Sequence, residues 1–184
     1  MMLSAKRQDL LIFGVDPGTA TTGYGFINVT PDSIKVVDYG LIETEKNGYA
    51  PSRYGVIYRV LCSLLGSRKP DVMVIEKVFF ATNAKTAIRV GQAQGVMLLS
   101  AVHNSIPVVE YAPGTIKKMV TGSGRAKKKE VQEHVKEILG SIEGGKIREN
   151  KAKRITKTHI DNVFDAFALA LTHSFKLSEG RATV

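Results

Sequence analysis

The sequence predicts a mixed α/β domain in which helices flank a mixed five-stranded sheet. Three observations lead to this fold class. Short apolar runs and longer segments of helical spacing follow one another in the order β-β-β-α-β-α-β-α-α-α. The 184 residues, 43% of them hydrophobic, suffice for the core of one ordinary domain. Because no internal repeat divides the chain, we expect a single domain over residues 1–184.

The strands are predicted from apolar, β-branched runs bounded by turn residues. The first run ends at Asp16 and is followed by a Pro-Gly dipeptide. A Thr-Pro-Asp sequence separates the second and third runs, which predicts that the first three strands form an antiparallel meander. The five predicted strands are 10–15, 24–29, 34–42, 72–75 and 107–111.

The helices are predicted where apolar residues recur at three- and four-residue spacing. Ser52 is suited to cap the first helix, and Gly66 is suited to end it. The segment 141–157 is polar, basic and glycine-containing, so we expect a mobile basic loop there. The five predicted helices are 52–65, 83–102, 113–120, 128–139 and 159–175.

The composition excludes several classes of protein. A single cysteine, Cys62, excludes a disulfide framework and a cysteine-built zinc site. No apolar run approaches the roughly 20 residues that a membrane span requires, and the run near the start is too short for the core of a signal peptide. We therefore expect a cytoplasmic protein with no membrane partner.

The positive charge of the chain is concentrated in one region. The net charge is +9, and residues 113–157 contain thirteen Lys and Arg residues against five acidic ones. This concentration predicts a surface that binds phosphates and releases their counterions. The alternative is a solvated helix face followed by a basic loop.

Three carboxylates occur beside apolar elements. Asp16 ends the first predicted strand, Glu76 ends the fourth, and Asp165 lies in the alanine-rich last helix. A carboxylate in apolar surroundings costs free energy unless it is paired or bound to a metal. If the first and fourth strands are neighbours, Asp16 and Glu76 share one sheet edge, and the last helix can add Asp165. Such a cluster suits a pair of Mg²⁺ ions, with Asp16 bridging and one ion each for Glu76 and Asp165.

A fourth metal ligand is less clearly defined by the sequence. Asp161 precedes Asp165 by four residues and therefore shares its helical face. Asp161 also fits a capping box that begins at Thr158, so its role could be to cap the helix. Asn162 faces the same way and could offer a carbonyl oxygen, and His159 is a remaining candidate. Charge favours Asp161, because Mg²⁺ prefers anionic oxygen to an amide.

Four segments together resemble the RuvC family of Holliday junction endonucleases, which have an RNase H-like fold. They are FGVDPGTATTGYGF at 13–26, VIEKVFFATNAKTAIRVGQAQG at 74–95, VEYAPGTIKKMVTGSGRAKKKEVQ at 109–132 and DAFALALTH at 165–173. The resemblance implies Mg²⁺-dependent nicking of two strands of like polarity at a four-way DNA junction by a homodimer, with Mn²⁺ able to replace Mg²⁺. It also leaves room for a branch-migration helicase as a partner.

The resemblance assigns roles residue by residue. It implies that Asp16, Glu76 and Asp165 are catalytic metal ligands, and it places a further acid or a histidine at the position of Asn162, where this chain departs from the family. We choose Asp161 as the fourth ligand. The resemblance also implies that Lys117 and Lys128 support catalysis near the scissile phosphate and that Phe79 stacks on a junction base. The complete predicted DNA-binding set is Phe79, Lys117, Lys118, Arg125, Lys127, Lys128 and Lys129.

Two other functions are consistent with parts of the sequence. Asp16-Pro-Gly-Thr19 also resembles a phosphate loop of actin-like ATPases, but the chain has no second glycine loop of that kind. The departure at Asn162 is consistent with a junction-binding protein that does not cleave. Two symmetric nicks would require two active sites, and small residues in the helix 83–102 predict a dimer. These small residues are Ala84, Ala87, Gly91, Ala93 and Gly95.

Overall fold

A computed structural model describes residues 9–45, 47–78, 84–140, 146–148, 160–180 and 182 of the chain. The strands are β1 (Leu10–Asp16), β2 (Thr21–Val29), β3 (Ile34–Glu43), β4 (Val72–Glu76), β5 (Val108–Tyr111) and β6 (Lys146–Arg148). The helices are α1 (Ala50–Arg68), α2 (Ala84–His103), α3 (Pro113–Thr121), α4 (Lys128–Leu139) and α5 (Ile160–Ser178). All ten predicted elements are therefore present.

The strands form one mixed sheet in the order β5-β4-β1-β2-β3-β6. β1, β2 and β3 pair antiparallel, which confirms the predicted meander. β4 joins β1 in parallel and β5 joins β4 in parallel. The first and fourth strands are thus neighbours, which is the condition under which Asp16 and Glu76 share an edge.

Helices cover both faces of the sheet because successive strand residues point to opposite sides. Ile12, Val72 and Val74 belong to the core on the side of α3, α4 and α5. Their neighbours in sequence, such as Phe13 and Ile75, belong to the core on the side of α1 and α2. The same alternation places Asp16 and Glu76 on the face that α5 covers.

Two predictions about local structure were wrong. Within the segment 141–157, which was expected to be a mobile basic loop, Lys146–Arg148 pairs in parallel with β3 as a sixth strand, and the rest of the segment lies outside the described residues. A strand of three residues is held by backbone hydrogen bonds to an available edge, so it leaves no periodic pattern in the sequence. Helix α1 begins at Ala50 after Tyr49 rather than at Ser52, because Pro51 is accepted in a first turn whose N–H groups have no partner within the helix. It passes Gly66 and ends at Arg68, with Lys69 in the left-handed conformation (φ 47°).

Glycines in β1 and β2 allow α5 to lie directly on the sheet. A Cβ atom at Gly14 would collide with the carbonyl oxygen of Ala166, and one at Gly23 would collide with that of Asn162. A Cβ atom at Gly25 would come within 2.5 Å of the Phe167 ring. Glycine inside a strand commonly marks such close backbone approach. These contacts bracket Asp165, so the glycines determine how near its backbone comes to β1.

None of the helices in the described part of the chain has the length and apolar content of a membrane span.

Candidate active site

The two strand-end carboxylates lie on adjacent strands at the same edge of the sheet. The parallel register pairs Val15 with Ile75, so Asp16 and Glu76 are the next residues on their strands. Both lie an even number of residues from strand residues that face α5, such as Ile12 and Val74, and therefore point to the same side. The carboxyl groups therefore leave neighbouring strands on the same side, as the sequence predicted.

Helix α5 brings Asp165 to these two residues. The electrostatic interactions of Asp165 raise the pKa values of both Asp16 and Glu76, which shows that the three carboxyl groups lie close together. The Asp165 carboxylate also accepts a hydrogen bond from Lys128 Nζ at 2.6 Å. Lys128 is the first residue of α4, so this ion pair links α4 to α5 at the carboxylate cluster.

The pKa values of the three clustered acids are raised, which favours their neutral forms. Burial, followed by repulsion from Asp165 and Glu76, raises the pKa of Asp16 to about 8. Burial and Asp165 raise the pKa of Glu76 as well. Burial also raises the pKa of Asp165, although Lys128 opposes this shift. The site therefore carries a cost for negative charge that a bound cation would remove.

Two lysines of the basic region face this cluster. Lys117 and Lys128 both oppose the upward shift of the Glu76 pKa, so both ammonium groups lie near it. Burial of Lys128 disfavours its charge, but its hydrogen bond to Asp165 and the nearby Asp16 outweigh this and raise its pKa. These are the two lysines to which the family resemblance gives a role near the scissile phosphate.

The structure gives Asp161 and Asn162 different surroundings. Asp161 lies in the first turn of α5 and acts electrostatically on Asp165 and Lys128. Asn162 lies over Gly23, the residue paired with Asp16, and its Cβ atom would be 2.8 Å from a Cβ atom placed there. Asp161 is thus at the Lys128 side of the cluster, and the backbone of Asn162 is close to β2 beside Asp16.

The other predicted basic residues form an exposed surface around the end of α3 and the start of α4. Lys118, Arg125, Lys127 and Lys129 are all exposed. Lys129 makes an ion pair with Glu133 at 3.8 Å, which is a weak surface contact. Phe79 and His159 lie outside the described residues, so their assigned roles remain predictions.

Gln94 was not identified from the sequence, although it lies in one of the segments that resemble RuvC. This nearly buried residue of α2 donates from Nε2 to the Glu76 carbonyl at 3.3 Å and to Glu110 Oε1 at 2.6 Å. On the other side of the same peptide group, the Lys77 N–H donates to the Tyr111 carbonyl at 2.9 Å. The backbone that carries Glu76 is therefore held from both sides, by side-chain and backbone contacts that have no sequence signature.

The donor set fits a hard divalent cation. Carboxylate oxygens are the ligands that Mg²⁺ prefers. The pKa values of Asp16 and Glu76 are raised because burial and the other carboxylates outweigh the nearby lysines. In the part of the chain that the structure describes, no three His, Cys, Asp or Glu side chains are spaced to hold an ion as they stand. A cation held by all three carboxyl groups would need their side chains to rearrange and would compete with Lys128 for Asp165.

A cavity lies away from this edge. It has a volume of about 1090 Å³ and is lined by the start of β1, the β2–β3 turn and the end of α5, including Asp9, Asp32 and Phe175. None of the clustered carboxylates lines it, so it is not part of the candidate active site.

This sheet, with an acidic edge formed by β1, β4 and a crossing helix, defines an RNase H-like nuclease. Comparisons with known proteins agree. Residues 12–173 match the model of the family described as crossover junction endodeoxyribonuclease RuvC. The chain is 41% identical over 163 residues to the protein of that name from Caldicellulosiruptor saccharolyticus, covering 88% of this chain and 90% of that protein. It is 46% identical over 130 residues to the one from Pseudothermotoga lettingae, covering 71% and 80%.

A solved structure is similar as well. Thermus thermophilus RuvC in complex with a Holliday junction substrate superposes with a TM-score of 0.79 at 30% identity, covering 95% of this chain and 98% of that one. The chain belongs to the RuvC family of crossover junction endodeoxyribonucleases.

Proposed function

We propose that this protein resolves Holliday junctions by paired symmetric nicks, using Asp16, Glu76 and Asp165 as ligands for two Mg²⁺ ions and Asp161 as the fourth ligand. The observation that carries the proposal is the cluster of three carboxyl groups, each with a raised pKa, directly beside the basic helices α3 and α4. Mn²⁺ has the same preference for oxygen ligands and is expected to replace Mg²⁺.

The side chains of this chain have separate tasks in the proposed reaction. Two metal ions, when bound, activate a water molecule and neutralise charge on the phosphoryl group. Asp16 and Glu76 hold fixed positions because their strands are hydrogen-bonded neighbours. Once the ammonium group of Lys128 leaves Asp165, it can contact the phosphate, and Lys117 approaches from the same side. The exposed lysines of α3 and α4 hold phosphates further along the DNA arm.

A second copy of this chain would provide the second nick. The outer face of α2 carries exposed Ile88, Leu99 and Val102 (62%, 57% and 70% exposed), with Gly91 and Gly95 between them. A Cβ atom at either glycine would meet nothing within 4 Å, so a partner helix could approach closely. Ala93, in contrast, is fully buried toward the sheet and cannot contribute to such an interface.

The dimer is tested by replacing one exposed apolar residue of the outer face of α2 with an acid. Leu99→Asp should give a monomer by light scattering at micromolar concentration and should abolish paired nicking. Tyr49→Asp is the matched control, because Tyr49 is a comparably exposed apolar residue (74%) on another helix end. A wild-type chain that is monomeric both free and on DNA would refute the dimer.

The two other functions considered for the sequence are not favoured. An actin-like ATPase requires a second phosphate loop, which the sequence lacks. The family that matches residues 12–173 is that of the crossover junction endodeoxyribonucleases. A junction-binding protein without cleavage would have no need for three carboxyl groups kept together at a cost in charge. A helicase partner and cytoplasmic location stay predictions.

The proposed function is tested with a synthetic four-way junction. Wild-type protein with Mg²⁺ should release two symmetrically nicked duplexes, and Ca²⁺ should support binding without cleavage. A linear duplex of the same sequence is the control substrate. Tight junction binding without any Mg²⁺- or Mn²⁺-dependent nick would favour the non-cleaving alternative.

A further inference from the structure

Tyr111 links the strand that carries Glu76 to the helix that carries Asp165. It is the last residue of β5, is nearly buried, and is paired in the parallel register with Glu76. Its carbonyl accepts a hydrogen bond from the Lys77 N–H, the amide immediately after Glu76. Its hydroxyl lies 2.8 Å from Nδ1 of His173 on α5. One residue therefore contacts both the backbone of Glu76 and the helix that carries Asp165.

His173 is suited to this contact by its burial. The side chain is fully buried, and burial lowers its pKa, so the imidazole is neutral near pH 7. A neutral ring can accept from the Tyr111 hydroxyl or donate to it, so either tautomer makes the bond. Among the described residues, Nε2 of His173 has no hydrogen-bond partner. The bond to Tyr111 is thus the polar contact that the described structure gives this ring.

The position of the Tyr111–His173 hydrogen bond along α5 affects the direction of the helix relative to the sheet. His173 follows Asp165 by eight residues, which is about 12 Å along the helix axis. Near Asp165, the close contacts at Gly14, Gly23 and Gly25 hold the first two turns of α5 on the sheet. A directed hydrogen bond two turns beyond Asp165 adds a restraint on the direction in which the rest of the helix runs.

We propose that Tyr111 and His173 are positioning residues for DNA cleavage, which fix the tilt of α5 and thereby the location of Asp165 relative to Glu76. Neither residue contacts the reacting atoms. The inference rests on the proposed carboxylate site, because it explains how two of its members are kept in register. A misplacement of catalytic groups by about 1 Å can cost about a hundredfold in rate.

The experiment compares Tyr111→Phe with Thr172→Val. The first variant removes only the hydroxyl. The second removes another fully buried hydroxyl from the same helix, one that bonds to the Ala168 carbonyl at 2.7 Å and not to β5. Four quantities are measured: single-turnover cleavage with saturating Mg²⁺, junction affinity in Ca²⁺, Mn²⁺ affinity without DNA, and the free energy of unfolding.

We expect Tyr111→Phe to cleave about tenfold more slowly, the equivalent of one buried hydrogen bond. Its junction affinity should be unchanged and its Mn²⁺ affinity weakened. Thr172→Val should lose stability but keep the wild-type rate and Mn²⁺ affinity. His173→Asn, which retains an acceptor near the position of Nδ1, should cleave faster than His173→Leu. Combining Tyr111→Phe with His173→Leu should cost no more than the worse single variant, because both break the same bond.

The inference is overturned if Tyr111→Phe cleaves at the wild-type rate, if Thr172→Val slows cleavage as much, or if the paired variants add. Should Tyr111→Phe fail to fold, equal rates for His173→Asn and His173→Leu would overturn it instead. Glu76→Gln distinguishes failure of the carboxylate site from failure of the positioning role. If it also cleaves normally, the carboxylate site itself is wrong, whereas an inactive Glu76→Gln beside a fully active Tyr111→Phe rejects the positioning role alone.

Discussion

The acidic edge of the sheet and the basic surface of α3 and α4 differ in how they are held. Asp16, Glu76 and Asp165 are partly enclosed, carry raised pKa values and are fixed by strand pairing and by backbone contact with α5. Lys118 and Lys127, in contrast, are exposed side chains on a helix end.

This difference predicts two kinds of sensitivity to change. Enclosed charges interact strongly and depend on position, so single substitutions at the acidic edge should have large effects. Exposed charges interact through solvent and counterions, so the basic surface should respond to the number of charges and to salt. Lys128 belongs to both regions, because it emerges from the basic surface and bonds to Asp165.

The largest effect is expected at the acidic edge. Asp16→Asn and Glu76→Gln should each slow cleavage by at least about a thousandfold, since loss of a metal ligand costs several kcal/mol of transition-state stabilisation. Junction affinity measured in Ca²⁺ should stay the same or rise, because a negative charge near DNA is removed. Near wild-type cleavage by either variant would contradict the two-metal proposal.

The fourth ligand is resolved by a pair of substitutions. Asp161→Ala should slow cleavage by about a hundredfold or more if Asp161 is a ligand. It should instead cost only about 1 kcal/mol of stability if Asp161 merely caps α5. Asn162→Asp should raise Mg²⁺ affinity if that side chain reaches the metals. Normal cleavage by the first variant together with unchanged Mg²⁺ affinity in the second would exclude both residues from the site.

The close seating of α5 is tested at a glycine. Gly14→Ala should lose about 1–3 kcal/mol of stability and also cleavage activity, because its Cβ atom meets the backbone of Ala166 and must displace α5. Gly114→Ala is the control, since a Cβ atom there meets nothing within 4 Å. Urea unfolding and single-turnover cleavage of both variants provide the comparison. Equal stability and activity would show that α5 does not depend on this contact.

The raised pKa of Asp16 predicts a pH dependence of stability in EDTA. The folded protein holds a proton on Asp16 up to about pH 8, whereas the unfolded chain releases it near 3.8. Stability should therefore be fully present below that lower value and fall as pH rises toward 8, by up to about 1.4 kcal/mol per pH unit. Asp16→Asn should be more stable than wild type at pH 8 and equal to it near pH 4. Parallel unfolding profiles of the two proteins would contradict the assigned shift.

The smallest effects per residue are expected on the basic surface. Replacing Lys118, Lys127 and Lys129 with Ala should reduce the slope of log affinity against log salt by about two to three units through lost counterion release. Lys128 is left intact so that the carboxylate cluster is not disturbed. Single-turnover cleavage at saturating protein should change little. An unchanged slope would show that these lysines do not contact phosphate.

Most strands and helices could be predicted from the sequence, because local patterns of apolar residues determine them. Alternation and apolar runs predicted the five longer strands, and helical spacing predicted all five helices. The acids at the ends of β1 and β4 could be placed at one edge because parallel neighbours end together. Resemblance to the RuvC family supplied the function, and the family match confirmed it.

Only the tertiary structure decided the contacts between elements that are distant in sequence. Strand β6 exists because β3 offers an edge, and three residues carry no periodic signal. The pairing of Lys128 with Asp165, across 37 residues, and of Tyr111 with His173, across 62, depends on how α4 and α5 lie on the sheet. Composition and spacing determine which residues are buried and which are charged. The partner of each buried polar group depends on how the elements pack together, and this can be read only from the folded chain.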